Sequence, residues 1–158
     1  EIFLIDNDED AKSLYTKIIN LGQKMIIKNL KLIEQGTIIR KKQDPTKFIE
    51  YWNKRTIEDG KINWKYLSNH IYKLVRATTK PYPGAFTFFQ NKKIKIWKAL
   101  LTTKMSSKPG EILKINDLGV FVGTGDKMLI IQDVSFENDI QIKANKLFSE
   151  NDIGYILE

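Results

Sequence analysis

Arg76-Ala77-Thr78-Thr79-Lys80-Pro81-Tyr82-Pro83-Gly84-Ala85-Phe86 is the stretch on which the reading of this chain turns. Ahead of it, Leu67, Ile71, Leu74, Val75 and Thr78 recur at the spacing of one helix face. Behind it, Ile94 and Ile96 alternate with Lys93 and Lys95, the pattern of a half-buried strand. The prolines end the helix, because the residue before a proline is driven out of helical geometry, and Gly84 leaves the backbone free to turn. The stretch therefore joins a helical half to a β half.

Toward the C-terminus the pattern predicts strands at Ala85–Phe89, Lys93–Leu101, Glu111–Ile115, Val120–Gly123 and Lys127–Val134. Turns at Gln90-Asn91-Lys92, Lys108-Pro109-Gly110, Asp117-Leu118-Gly119 and Thr124-Gly125-Asp126 separate them. Short strands spaced by tight turns suggest a small closed barrel, since closure removes exposed edges. Ile142 to Ser149 reads as a short helix covering one end. Toward the N-terminus, a helix is expected from Trp64 or Lys65 to about Thr78, with a turn at Glu58-Asp59-Gly60 before it. Thr37 to Tyr51 is polar and basic, carries Pro45, and reads as an extended linker with room for one short strand. A long helix should run from the acidic opening Asp6 to Asp10 as far as Gly36, presenting Ala11, Leu14, Tyr15, Ile18, Met25, Ile26, Leu30 and Ile33 on one stripe.

The composition is that of an ordinary folded protein: 158 residues, 42% hydrophobic and 28% charged. No apolar run approaches the roughly 18 residues a membrane helix needs. The absence of cysteine removes disulfides, thiolate catalysis and thiolate metal sites, and the single histidine, His70, argues against a histidine-based metal centre. His70 sits beside Ile71 on the predicted helix and reads as a surface or packing residue. The net charge of +7 is uneven: residues 1–83 hold 16 basic and 10 acidic side chains, residues 84–158 hold 10 and 9. Only Arg40, Arg55 and Arg76 among the 26 cations are arginine, the residue best suited to bidentate phosphate recognition. Arg40-Lys41-Lys42 is the densest cationic run, and consecutive residues of an extended segment make a diffuse field more readily than a site. The chain starts at Glu1 with an apolar run, Ile2 to Ile5, that nothing introduces, and so reads as a piece of a longer protein.

Several short motifs in one order carry a family resemblance. Arg76 to Phe86 resembles the hinge of the formyltransferases that use 10-formyltetrahydrofolate, close to I-R-A-x-x-x-P-x-P-G-A-F/Y. Lys54-Arg55-Thr56, Glu58-Asp59-Gly60 and Ile62-Asn63-Trp64 resemble that family's K-R-T-P-E-D-G-x-I-D-W segment, with Ile57 in place of proline and Asn63 in place of aspartate. Lys93 to Ala99, Pro109-Gly110 and Val122 to Asp126 are similar to its K-I-W-x-A strand, P-G-x-I turn and V-x-T-G-D/G hairpin. Asp10-Ala11 with Ser13-Leu14-Tyr15 and Lys17 resembles its D-T-A-x-S-L-x-x-K helix.

The resemblance implies an α+β chain: 1–36 the end of a Rossmann-like formyltransferase domain, 37–83 the linker and helix leading to the hinge, and 84–158 an OB-like barrel. It implies formyl transfer to a primary amine, in the cytoplasm. The family's Asn, His and Asp, which deprotonate the amine and stabilise the tetrahedral oxyanion, would precede Glu1, as would the pocket for 10-formyltetrahydrofolate. Residues 1–158 alone are then expected to lack turnover and to hold no metal. Lys54 and Arg55 are candidates for binding substrate phosphates, against a structural pairing with Glu58 or Asp59. Trp64 and Tyr82 are candidates for lining the cleft, against plain packing, and Pro81, Pro83 and Gly84 are hinge geometry. Arg76 reads as an anchor for the helix end and Asp126 as a turn residue. The wording of the motifs is closer to enzymes acting on amino sugar nucleotides than to methionyl-tRNA formyltransferase, and the near-neutral residues 84–158 point the same way. A third reading is a freestanding OB-type nucleic-acid binder using Phe86, Phe88, Phe89, Trp97, Lys93 and Lys95, although alternation should bury half of those aromatics. The apolar stripe of residues 10–36 is expected to drive dimers or aggregates.

Overall fold

A computed structural model of the chain describes residues 2–47, 50–106, 108–137 and 140–158. The chain divides into two units, residues 1–9 with 13–55 and residues 10–12 with 56–158.

The first unit is dominated by helix α1, Ala11–Glu34. The acidic opening forms its own turn ahead of the helix: the Glu9 carboxylate accepts the Asp6 backbone N–H at 3.0 Å, and Lys17 reaches back to within 2.6 Å of Glu9 Oε1. The helix stops at Gly36, which adopts φ +67°, a left-handed conformation that glycine takes without steric cost. No residue of α1 is buried, so Tyr15, Ile18, Ile26, Leu30 and Ile33 stand exposed. The expected strand between Thr37 and Tyr51 is not found among the described residues. Pro45–Lys47 forms a single tight helical turn, with the Asp44 carboxylate accepting from the backbone N–H and hydroxyl of Thr46. Phe48 and Ile49 lie outside the described residues.

The second unit is built on an antiparallel sheet. Its strands are β1 Ala85–Phe89, β2 Lys92–Met105, β3 Ile112–Asn116, β4 Gly119–Gly123, β5 Lys127–Ser135 and β6 Ile142–Lys143. They lie in the order β1-β2-β5-β4-β3, with β6 beside β5. Gln90 and Asn91, both at positive φ, make a two-residue turn whose twist suits a hairpin. Lys92 consequently belongs to β2, paired with Phe89, rather than to the turn. Helix α2, Ser68–Thr78, buries Ile71 and Val75 in one core with Ile94, Ile96, Val120, Val122, Leu129 and Ile131. The alternation expected of Lys93 to Ile96 is present, the isoleucines inside.

Three expectations are corrected. Helix α2 begins at Ser68 instead of Trp64 or Lys65, because Asn63 diverts the chain into a turn: its side chain accepts the Lys65 N–H and its carbonyl the Tyr66 N–H. Ile142–Ser149 is not one helix. Ile142 and Lys143 pair with β5, and only Ala144–Leu147 is helical, as α3. The barrel is not closed, since β1 and β3 are edge strands that do not pair with each other. The C-terminal segment spans that gap. Glu158 exchanges two backbone hydrogen bonds with Phe88 of β1, while Ile112 N–H of β3 donates to Tyr155 O and Leu157 N–H to Gly110 O. Both edges thereby satisfy part of their backbone without a full ladder.

Candidate functional site

The hinge is held from three sides. Gly84 N–H donates to Thr78 O at 2.8 Å, Tyr82 N–H to Thr79 O at 3.1 Å, and the Thr79 hydroxyl to Trp97 O at 3.4 Å. Gly84 has φ +92°, a conformation that favours glycine, and a Cβ there would crowd the Trp97 ring at 3.1 Å. The Lys80–Pro81 bond is cis, with Pro83 following in the same turn. Trp97 is itself fixed, its indole N–H donating to the Ser135 hydroxyl at 2.9 Å. The ammonium groups of Lys80 and Lys95 lie 5.4 and 5.8 Å from its ring centroid.

The candidate residues fall in different settings. Tyr82 is exposed at the hinge turn. Trp64 is 4% exposed and packed in the core; its indole N–H donates to the Thr87 hydroxyl at 3.0 Å, and that hydroxyl donates to Glu158 O at 2.7 Å. Lys54 and Arg55 end the first unit, both exposed. The Arg55 guanidinium stacks 5.5 Å from the Trp52 ring centroid. The Asp59 carboxylate accepts the Thr56 backbone N–H at 2.6 Å. Arg76 lies over the Tyr72 ring one turn back on α2, at 5.1 Å, in keeping with its reading as a helix-end residue. His70 is exposed and its ring sits 5.0 Å from that of Tyr66. The described residues contain no cluster of three metal-ligating side chains.

The aromatic platform required by a nucleic-acid module is largely absent. Phe86, Phe89 and Trp97 are buried, with the Lys93 ammonium 3.6 Å from the Phe86 centroid. Stacking on bases needs exposed ring faces, and of the β1 aromatics only Phe88 is as much as half-buried, the others being buried.

Two features escaped the sequence reading. The Thr124-Gly125-Asp126 hairpin docks on the start of α2. Gly125 N–H donates to Tyr66 O at 2.9 Å, and a Cβ on Gly125 would come within 2.2 Å of Lys65 O. Asp126 Oδ1 then accepts the Ser68 backbone N–H at 2.7 Å, capping a helix whose own N-cap residue, Leu67, has no side-chain acceptor. The Ser68 amide holds the Asp126 carboxyl below its ordinary value, opposed by partial burial. An apolar N-cap was the visible signal, and it named no partner. The other missed feature is Trp52, an exposed indole with the Arg55 guanidinium against its ring.

Residues 54–152 match the family described as formyl transferase, C-terminal domain. The methionyl-tRNA formyltransferase of Alkaliphilus metalliredigens is 33% identical over 153 residues, covering 95% of this chain and 48% of that protein. The bifunctional polymyxin resistance protein ArnA of Wigglesworthia glossinidia brevipalpis is 35% identical over 159 residues, covering 93% and 24%. The chain thus spans at most about half the length of these relatives. Among solved structures, a HypX variant from Aquifex aeolicus superposes with TM-score 0.73 at 20% identity over 93% of this chain and 27% of that one. The sugar 3N-formyl transferase WlaRD gives 0.55 at 22% over 82% and 46%. At such identities the structures support the fold alone. The matched segment includes the hinge, the sheet and the capping hairpin, and the chain belongs to the formyl transferase C-terminal domain family.

Proposed function

We propose that this chain is the C-terminal part of an enzyme that transfers a formyl group from 10-formyltetrahydrofolate to the primary amine of an amino sugar nucleotide. The observation that carries the proposal is the family match across the hinge, together with the near balance of charge after it, 10 basic and 9 acidic residues over 84–158. Several of those charges are already engaged: Lys108 pairs with Glu111, Lys143 with Asp133, and Asp126 caps α2. A large polyanion is favoured by an unneutralised cationic surface, whereas a small diphosphate needs only a few cations.

In this reading residues 1–36 end a Rossmann-like domain, and 37–83 lead to the barrel-like domain of residues 84–158. Lys54 and Arg55 bind the acceptor's phosphates and Tyr82 borders the cleft. Trp64, Pro81, Pro83 and Gly84 hold the geometry. The groups that deprotonate the amine, stabilise the oxyanion and bind the folate lie outside residues 1–158, so these residues alone do not turn over. The setting is the cytoplasm.

Methionyl-tRNA as acceptor is the second reading, supported by the names of relatives such as that of Alkaliphilus metalliredigens. The deciding experiment assays formyl transfer by the full-length protein to a panel of amino sugar nucleotides and to methionyl-tRNA, with residues 1–158 in parallel. Turnover with a sugar nucleotide supports the proposal. Turnover only with methionyl-tRNA replaces it, and turnover by residues 1–158 refutes the placement of the catalytic groups.

A further inference from the structure

Two prolines and a glycine between a helix and a strand read as a place where a chain bends, yet the contacts around Arg76 to Phe86 leave that stretch no room to do so. Besides the hydrogen bonds made by Gly84, Tyr82 and Thr79, the segment ahead of α2 is laid against it. Ile62 N–H donates to Phe86 O at 2.8 Å, and Lys61 and Phe86 form a parallel bridge. Gly60 is buried, and a Cβ on it would stand 2.8 Å from Gly84 O. The two glycines thus serve close backbone approach and, at Gly84, one fixed positive φ. Ile62, Thr79, Ala85 and Phe86 are buried, and α2 places Ile71 and Val75 in the same core as the sheet. Bending at residues 76–86 would have to withdraw that helix face and break these hydrogen bonds together.

Upstream the setting is the opposite. Residues 50–55 are exposed and belong to no helix or strand, and the first unit gives way to the second between Arg55 and Thr56. The contact of Arg55 with the Trp52 ring lies inside this segment. Thr56 is tied down, its N–H donating to the Asp59 carboxylate at 2.6 Å in the turn that carries Gly60. A hinge is a short segment whose backbone angles change without the loss of packed contacts. We propose that the chain articulates in residues 50–55, and that the Pro-Gly stretch is a rigid joint inside a body running from Thr56 to Glu158. Tyr82 is then held at one position on that body. The inference does not depend on which acceptor the enzyme uses.

Because the chain has no cysteine, nitroxide labels attach only where a cysteine is introduced. Lys28, Lys73 and Lys114 are exposed, on α1, α2 and β3. Dipolar distance measurements on residues 1–158, with labelled chains diluted into unlabelled ones, are expected to give a narrow distribution for Lys73→Cys with Lys114→Cys. The distribution for Lys28→Cys with Lys114→Cys should be distinctly wider. Hydrogen exchange of the unsubstituted chain needs no variant and reads the same question over minutes to hours. The amides of Ile62 and Gly84 should exchange within about tenfold of those of β4, which lies between β3 and β5, while those of Asn53 and Lys54 exchange close to the rate of an unprotected peptide.

A distribution for the Lys73 and Lys114 pair as wide as that for Lys28 and Lys114 overturns the rigid joint. So does exchange at Ile62 and Gly84 that is fast while β4 stays protected. A narrow distribution for Lys28 and Lys114, or strong protection at Asn53 and Lys54, overturns the articulation. Each of these outcomes leaves the proposed function standing, since none of them involves formyl transfer.

Discussion

Asp126 shows how much a single side chain can carry between elements. Its carboxylate caps α2 across 58 residues of sequence, and negative charge at a helix N-terminus gains further from the dipole. Replacement by alanine should destabilise the second unit by about 1 kcal/mol at neutral pH, measured by urea unfolding. The sign of the pH dependence follows from the depressed carboxyl: its contribution is complete above the ordinary value of 3.8 and is lost as pH falls through the lower folded value. The gap between parent and Asp126→Ala should therefore be constant from neutrality down to about pH 4 and close below it. A gap that persisted undiminished at lower pH would mean that the carboxylate is not the cap. Gly125 serves the same contact by absence, since any side chain there would collide with the Lys65 carbonyl.

At the scale of elements, the sheet depends on a segment that is not a strand. Residues 154–158 join β1 to β3 through the Glu158–Phe88 and Tyr155–Ile112 hydrogen bonds, and Thr87 links Glu158 to Trp64. Removing residues 154–158 should leave both edges open and deprive the Thr87 hydroxyl, which accepts the Trp64 indole N–H, of its own acceptor at Glu158 O. The expected result is faster hydrogen exchange at the amides of Phe88 and Ile112, with the amides of β4 and β5 much less affected. Equal acceleration throughout the sheet would show instead that the segment is needed for the whole unit to fold. The long β2 tolerates its position between β1 and β5 through irregularities near Ile96, Lys98 and Leu101, which bend it so that one strand serves both neighbours.

At the scale of the molecule, the first unit presents a helix of 24 residues with no buried residue and an apolar stripe in water. A contiguous exposed stripe of that kind favours association. Light scattering of residues 1–158 is expected to give a mass above 18.4 kDa, reduced toward that value by Ile18→Glu and Ile26→Glu together. A clean monomer at the same concentration would refute this. No described helix is long and apolar enough to cross a membrane.

The strands, the long helix and the hinge were legible because each announces itself locally: alternation at Lys93 to Ile96, three-and-four spacing from Leu67 to Thr78, and the Pro-Gly stop between them. Motif order was enough to identify the family, and two of its letters have a visible physical cause: Gly84 faces the Trp97 ring at positive φ and Gly125 faces the Lys65 carbonyl. The sequence by itself thus determined most of the elements, their order and the family. Tertiary structure alone decided which edges pair, that the barrel stays open under a C-terminal strap, that Trp64 is core while Trp52 is not, and that Asp126 caps a distant helix. The physical reason is range: periodicity and turn chemistry act within a few residues, whereas the burial of the Trp64 indole and the capping of α2 depend on contacts 23 and 58 positions apart, which no local pattern encodes.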